Sequence, residues 1–433
     1  MKKKISIFWH RRDLRLHDNA GLHSALIKEQ HVLPVFIFDR DILQALEDRE
    51  DRRVDFIHRQ LTDLHRELLK MGSTLHVLHD TPVGAFKTLT ETYEISAVYA
   101  NHDYEPYAIQ RDEKIRDFLR GKGISFHTFK DQVIFEKNEI LKKDGLPYTV
   151  FTPYSRVWKQ RLSETGIPSY PTETFFHHLF RGEAIPIPQL DEIGFRSTDL
   201  NIPRSGTPKD IISNYDKTRN LPALQGTSRL GVHLRFGTIS IRELASEALQ
   251  LNETFLNELI WREFFMSILY HFPHVTQGSF RREYDRIPWR NDEGEFEKWC
   301  HGITGYPIVD AGMRELAATG FMHNRVRMVT ASFLTKHLLV DWRWGEAWFA
   351  KKLLDFELSA NNGNWQWSAG CGCDAAPYFR IFNPTEQTKK FDSNREYIDK
   401  WIPELNTLKY PLPLVDHAFA RERVLRVFKS ALR

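Results

Sequence analysis

Three cysteines in 433 residues are too few, and odd in number, for a disulfide framework, which points to a reducing cytoplasm. Cys371 and Cys373 form a lone C-x-C without a second pair at ligand spacing. They read as packing residues, and no metal site is expected. No apolar run approaches the ~20 residues that cross a bilayer. The opening MKKKISIFWHRRD turns charged after a few apolar residues, unlike a secretory signal. Charge of one sign is scarce as well. Sixty Lys and Arg against 57 Asp and Glu leave only +3, so contact with nucleic acid has to come from a local patch. The first apolar run is not followed by G-x-G-x-x-G, and a dinucleotide fold of the usual kind is therefore not signalled.

What is present suits a large soluble core. Hydrophobic residues make up 41% and aromatics 13%, with 11 Trp and 30 Phe, and a chain of this length predicts two domains. In the N-terminal third, short apolar runs at 5–9, 32–38, 74–78, 97–100 and 124–129 read as buried strands. Residues 53–71 and 106–121 read as helices, the first closing at Gly72. Strands alternating with helices predict a five-stranded parallel, doubly wound sheet over residues 1–130. Its first strand runs into HRRDLRLHDN, by itself a solvated loop. Residues 131–205 lose periodicity and are punctuated by Pro168, Pro171, Pro186, Pro188 and Pro203. They read as an interdomain linker in which the aromatic piece 147–160 is able to pack. From 206 to 433 helix periodicity dominates, predicting an all-α domain.

Within that domain residues 355–384, DFELSANNGNWQWSAGCGCDAAPYFRIFNP, stand apart. On a helix Asn361 and Trp365 share a face, while Trp367 leaves in nearly the opposite direction. Acids, amides and indoles this dense suit a site for a flat aromatic cofactor with polar edges better than a core helix, where each polar group needs a partner. In GTSRLG (226–231), Thr227 or Ser228 can cap a helix whose first amides, with Arg229, could hold phosphate; an ordinary helix start reads the same way. In NELIWREFF (257–265), Glu258, Trp261, Arg262 and Phe265 share a face, which taken alone is an i,i+4 ion pair beside a core aromatic. In HNRVRM (323–328), Asn324, Arg327 and Met328 share a face and Arg325 turns away; His323 reads as a structural hydrogen bond.

These segments, with TGYP (304–307), DAGMR (310–314) and GFMHNRVRMVTASFLTK (320–336), resemble the photolyase/cryptochrome family. The likeness runs from Ile5 to about Leu405 and is most specific over 215–385. It is strongest to class I photolyases that repair cyclobutane pyrimidine dimers. The resemblance implies an N-terminal Rossmann-like α/β domain and a C-terminal all-α domain that binds FAD. It places Tyr215, Thr227, Ser228, Arg229, Leu230, Gly231, Arg262, Arg327, Asp355, Glu357 and Asn361 at the cofactor, with Arg327 paired to Asp355. Family members more often carry Asp where Glu357 stands. Glu258, Asn324 and Asn361 are implied in catalysis, and Trp365, Trp342 and Trp289 in electron transfer. Damaged DNA would be met by Arg219, Glu258, Trp261, Asn324, Arg325, Met328, Trp367 and Arg380. Met328 stands where (6-4) photolyases carry His. In NHDYEPY (101–107), Asp103 and Glu105 are similar to a deazaflavin-binding pattern. The Asn-Glu pair of folate-binding members is absent at Tyr107 and Ala108, so an antenna is expected with its identity open between deazaflavin-like and folate. A monomer acting on DNA, away from membranes and without a protein partner, is the family expectation. The alternative is a cryptochrome-type blue-light receptor without repair. Such receptors often carry a C-terminal extension, for which the stretch after Leu405 leaves little room.

Overall fold

The computed structural model describes residues 2–199, 201–206 and 208–432. The chain divides into two compact units. The first comprises Met1–Glu136, Arg161–Gly206 and Arg229–Glu247. Its sheet has five parallel strands in the order β3-β2-β1-β4-β5. They are β1 (Lys4–His10), β2 (Val32–Asp39), β3 (His76–Asp80), β4 (Glu94–Asn101) and β5 (Ser125–Phe129). Between them run α1 (Ala20–Lys28), α2 (Arg52–Lys70), α3 (Pro82–Thr92) and α4 (Pro106–Arg120). β1 and β2 are almost wholly buried, and apolar residues dominate both, with Ser6, His10 and Asp39 as buried polar exceptions. Helix starts follow local chemistry. Asp51 accepts from the Arg53 amide to cap α2, and Pro106 opens α4 with φ already helical. β3 begins two residues later than the apolar run 74–78 suggests. It is an edge strand whose His76, His79 and Asp80 pair in register with Val35, Phe38 and Asp39, so backbone pairing sets its limits.

The run after β1 is not a solvated loop. His10, Asp13, Arg15, Asp18 and Asn19 are buried. Arg11 donates to Asp112, Arg15 donates to Asp131 at 2.8 Å, and Asn101 donates to Asp13 at 2.6 Å. Arg242 joins Asp18 and Asp131 at 2.8 and 2.9 Å. Apart from His10, whose ring faces Asp13 three residues on, each of these buried charges has a partner distant in sequence, which makes its burial tolerable and hides it from a local reading.

The second unit comprises Lys137–Gln160, Thr207–Ser228 and Ala248–Arg433. It includes the start of α5 (Phe151–Thr165), then α6 (Glu253–His271), α7 (Pro307–Thr319), α8 (Asn324–Ser332), α9 (Trp342–Lys352), α10 (Leu358–Ala369) and α11 (His417–Ala431). A π-helical turn, Phe333–Leu338, follows α8. One apolar core gathers Trp299, Trp342, Trp365, Phe333, Phe349 and Phe428. Two close approaches need glycine. A Cβ on Gly345 of α9 would lie 2.1 Å from Trp365, and one on Gly363 of α10 would lie 2.1 Å from Phe265 of α6. All three cysteines are buried and free. No described helix is long and apolar enough to cross a membrane, and no group of metal-ligating side chains occurs among the described residues.

Candidate functional site

A cavity of about 420 Å³ opens among α6, α8, α9 and α10 of the second unit, within the ~300–1,000 Å³ usual for ligand pockets. Twelve residues singled out from sequence border it: Arg219, Glu258, Trp261, Arg262, Asn324, Arg327, Met328, Asp355, Glu357, Asn361, Trp365 and Trp367. Phe265, Ala331, Phe349, Leu353 and Phe356 add apolar wall.

Helix geometry explains the convergence. Glu258, Trp261, Arg262 and Phe265 form one stripe of α6. Asn324, Arg327 and Met328 do the same on α8, whose first turn is capped by His323 Nδ1 accepting from the Arg325 amide at 3.1 Å. Glu357 caps α10, accepting from the Ala360 amide at 2.9 Å and from Ser359 Oγ at 2.5 Å. Its carboxylate therefore sits at the positive end of the helix. Arg327 Nη2 donates to both oxygens of Asp355, at 3.0 and 3.2 Å.

The amides of α10 divide in role. Asn362 donates to the Val275 carbonyl and to Glu346, both at 3.1 Å. Gln366 donates to Val275, Gly278 and Asn362 and accepts from the Phe280 amide. These two polar side chains belong to the core, each with partners on other segments. Asn361 differs. Its Nδ2 is held by the Glu346 carbonyl at 3.1 Å, which leaves Oδ1 as its acceptor in the cavity wall.

Glu258 pairs with Arg219 at 2.6 Å. Burial raises its pKa, and Arg219 offsets part of that rise. Arg219 also lies 5.4 Å over the Tyr215 ring, and Tyr215 is pushed upward by burial and then by the Glu258 charge. Arg325 is held by Asn220 at 2.7 Å and lies 4.4 Å over Phe391. Burial lowers its pKa, and the nearby charges of Arg219 and Arg380 lower it further. Three arginines thus share one neighbourhood beside the cavity. Arg380 is exposed, and Met328 Sδ accepts from Arg325 at 3.6 Å.

Trp365 is buried edge-on to Phe349 and Trp299, with ring centroids 5.0 and 6.1 Å away. Trp342 is buried in the same core away from the cavity lining, and half-buried Trp289 packs on that core and on Phe428. Tyr215 and residues 227–231 also lie outside the lining. The helix after residues 227–230 starts at Gly231 with Leu230 in the cap position, whose own side chain makes no cap bond, and Arg229 before it is left-handed at φ 53. In the first unit Asp103 pairs with Arg12 at 3.2 Å, and Glu105 pairs with Arg12 and Arg235, each at 3.0 Å. These guanidinium groups hold the Asp103 carboxyl well below the usual carboxylate range despite its burial.

Sequence reasoning missed two residues of the wall's support. Phe151 stacks on Trp261 with centroids 3.8 Å apart and planes 5° apart. Glu346, one helical turn after Trp342, holds Asn361 and Asn362. The first was signalled only by the aromatic run 147–160, the second only by its i,i+4 relation to Trp342.

Three indoles border this cavity together with amide, carboxylate and guanidinium groups, a lining that suits flat aromatic rings with polar edges, such as a flavin. The accessible Asn361 oxygen and the Arg327–Asp355 pair supply both acceptor and donor chemistry. Comparison with known proteins agrees. The FAD binding domain of DNA photolyase matches residues 255–409, and the DNA photolyase domain matches residues 6–173. A deoxyribodipyrimidine photo-lyase of Synechococcus sp. is 38% identical over 472 residues, 98% of this chain and 96% of that one. A class III photolyase from Agrobacterium tumefaciens superposes with a TM-score of 0.87 at 32% identity, covering 100% of this chain and 98% of the other. An archaeal photolyase from Sulfolobus tokodaii, solved with two FAD molecules, gives 0.82 at 35% identity over 98% and 99% of the two chains.

Proposed function

Because the chain belongs to the DNA photolyase family, we propose that it repairs cyclobutane pyrimidine dimers in DNA under blue light, using FAD held in the cavity of the second unit. The observation that carries this is the convergence of Glu258, Trp261, Asn324, Asn361, Trp365 and the Arg327–Asp355 pair on one cavity. Bound and fully reduced, FAD would supply the light-excited electron that splits the dimer's two cross-link bonds and is then returned, so no reductant would be consumed per turnover.

The residues of the chain bind, orient and stabilise. Arg262, Arg327, Asp355, Glu357 and Asn361 would hold the cofactor ring and its ribityl chain, with Tyr215, Thr227 and Ser228 of the same unit toward its diphosphate. Photolyases reach their target by base extrusion, a property of the enzyme class and not one read from this chain. Trp261 and Trp367 offer the extruded pyrimidines apolar faces. In the free protein Glu258 is paired with Arg219. When DNA arrives, Arg219 turns to a backbone phosphate together with Arg325 and Arg380. Glu258 then loses the cation that was lowering its pKa, while burial still raises it. A carboxyl that retains its proton can donate to a pyrimidine carbonyl, where negative charge develops. Asn324 lies between cofactor and lesion, and Met328 packs on the lesion. Trp365, Trp342 and Trp289 would form the route by which a reductant in solution returns electrons to an oxidised cofactor.

An antenna chromophore, deazaflavin-like or folate, at the strand end that carries Asp103 and Glu105 belongs to the same reading. The absorption spectrum of the purified protein decides it. A monomer in a reducing cytoplasm also belongs to it, in keeping with three buried, free thiols. The deciding experiment gives reduced protein an oligothymidylate carrying cyclobutane dimers and follows thymine absorbance under blue light against a dark control. Light-dependent recovery is expected. No recovery with flavin bound and reduced would favour cryptochrome signalling or (6-4) repair.

A further inference from the structure

Trp261 stands on α6, bordering the cavity. An indole on a helix surface is free to change rotamer unless its neighbours prevent it. Here one of its faces is covered by Phe151, nearly parallel at 5°. Phe264 meets both rings edge-on, at 5.6 Å from Trp261 and 6.0 Å from Phe151. The Trp261 ring is thus boxed on the side away from the cavity.

Phe151 is itself fixed twice. It is the first residue of α5, whose leading amides lack partners within the helix. Its N–H donates to Asp374 Oδ2 at 3.1 Å, so a carboxylate from the loop after α10 caps α5 from across the fold. Asp374 does this with φ 47, a left-handed conformation that Asp adopts more readily than most residues. Two turns along the same face of α5, Trp158 donates to the buried Glu263 of α6 at 2.5 Å, and between them Tyr154 packs on Phe264 with centroids 5.1 Å apart. α5 is therefore locked in register against the helix that carries Trp261. The loop holding Asp374 leads six residues later to Arg380.

We propose that Phe151 and Asp374 are positioning residues for recognition of the damaged bases. Asp374 fixes the start of α5, and Phe151 holds the Trp261 indole with its other face toward the cavity. The same bond ties the arginine-bearing loop to the lesion-stacking ring, so phosphate contact and base contact are set at a fixed spacing. The proposal rests on the reading of the cavity as the lesion site.

The test measures dark binding of the FAD-loaded full chain to a short oligothymidylate with one cyclobutane dimer and to the same oligonucleotide undamaged. Phe151→Leu is expected to lose about three- to tenfold affinity for the damaged strand, the range of one aromatic pair, and to keep its affinity for the undamaged strand. Phe151→Tyr is expected to restore discrimination. Asp374→Gly, which removes the carboxylate and relieves the backbone, is expected to lose discrimination in the same direction, whereas Asp374→Asn keeps an acceptor and retains it. Equal loss on both strands, or no loss, overturns the proposal. If Phe151→Leu comes out without flavin, the Asp374 pair decides, and identical discrimination by Gly and Asn overturns it. A wild-type protein that does not tell the two strands apart overturns the functional reading instead.

Discussion

Gly345 is the position where a single methyl group should do most damage to the electron-transfer side of the site. A Cβ there would lie 2.1 Å from Trp365 Cη2, 2.4 Å from Cζ3 and 2.6 Å from Leu334 Cδ2, where ordinary contact begins at 3.4 Å. The ring cannot yield cheaply. Trp365 is 2% exposed and pinned edge-on by Phe349 and Trp299. Overpacking a tight core costs about 1–3 kcal/mol, and a rigid indole as the obstacle puts this case at the upper end. Alanine returns at most about 1 kcal/mol of helix propensity over glycine. Gly345→Ala should therefore destabilise the second unit by about 2 kcal/mol, a fall of roughly 4–8 °C in its melting midpoint. Near-ultraviolet circular dichroism should change, because Trp365 has to move, and photoreduction of the oxidised flavin should slow. A midpoint within about 1 °C of the wild type, with an unaltered aromatic spectrum, would refute the reasoning, since it would mean that the core has room the geometry denies.

Four further outcomes follow from the same structure. Trp342→Phe should block photoreduction of oxidised flavin yet leave repair by chemically reduced protein nearly intact; loss of that repair would mark the residue as structural. Glu258→Ala should lower repair per absorbed photon by roughly two- to tenfold, the range of one lost hydrogen bond, with flavin still bound; an unchanged yield would remove its assigned role. Arg325→Ala and Arg380→Ala should each reduce the slope of log affinity against log salt by about 0.7–0.9, the effect of one phosphate contact, and equal slopes would exclude them from the DNA face. Lys336 is buried, donates to the Ala369 carbonyl at 2.6 Å, lies 4.1 Å over the Phe428 ring and faces the buried Cys371 thiol. Burial lowers it from its ordinary 10.5 to about 7. The unfolded chain therefore binds the extra proton between those values, and stability should be lost as pH falls from about 10.5 to about 7. Lys336→Met should flatten that slope in urea titrations at pH 7 and pH 9, and an identical slope would show that another group is responsible.

Part of the site was legible because helices place i, i+3 and i+4 together. The stripes Glu258–Trp261–Arg262–Phe265 and Asn324–Arg327–Met328 could be drawn from spacing alone, and both border one cavity. Spacing does not show which polar residues of α10 face the core. Asn362 and Gln366 look like site residues, yet they bond the loop at 275–280, and only three-dimensional neighbours distinguish them from Asn361.

The fold class could be read along the chain, because apolar periodicity is local. Continuous apolar runs made the parallel strands, helical stripes made the second unit, and motif residues marked where a cofactor and damaged DNA would be met. Which charges are buried and what braces the site depend on contacts between distant segments. The charged run after β1 is a buried ion-pair network because Asp112, Asp131 and Arg242 come to it from distant segments. Phe151 comes from a segment far ahead of Trp261 in the chain and still stacks on it. Such partners leave no periodic trace. Pairing across a fold depends on how helices cross and loops return, and neighbours along the chain do not fix that.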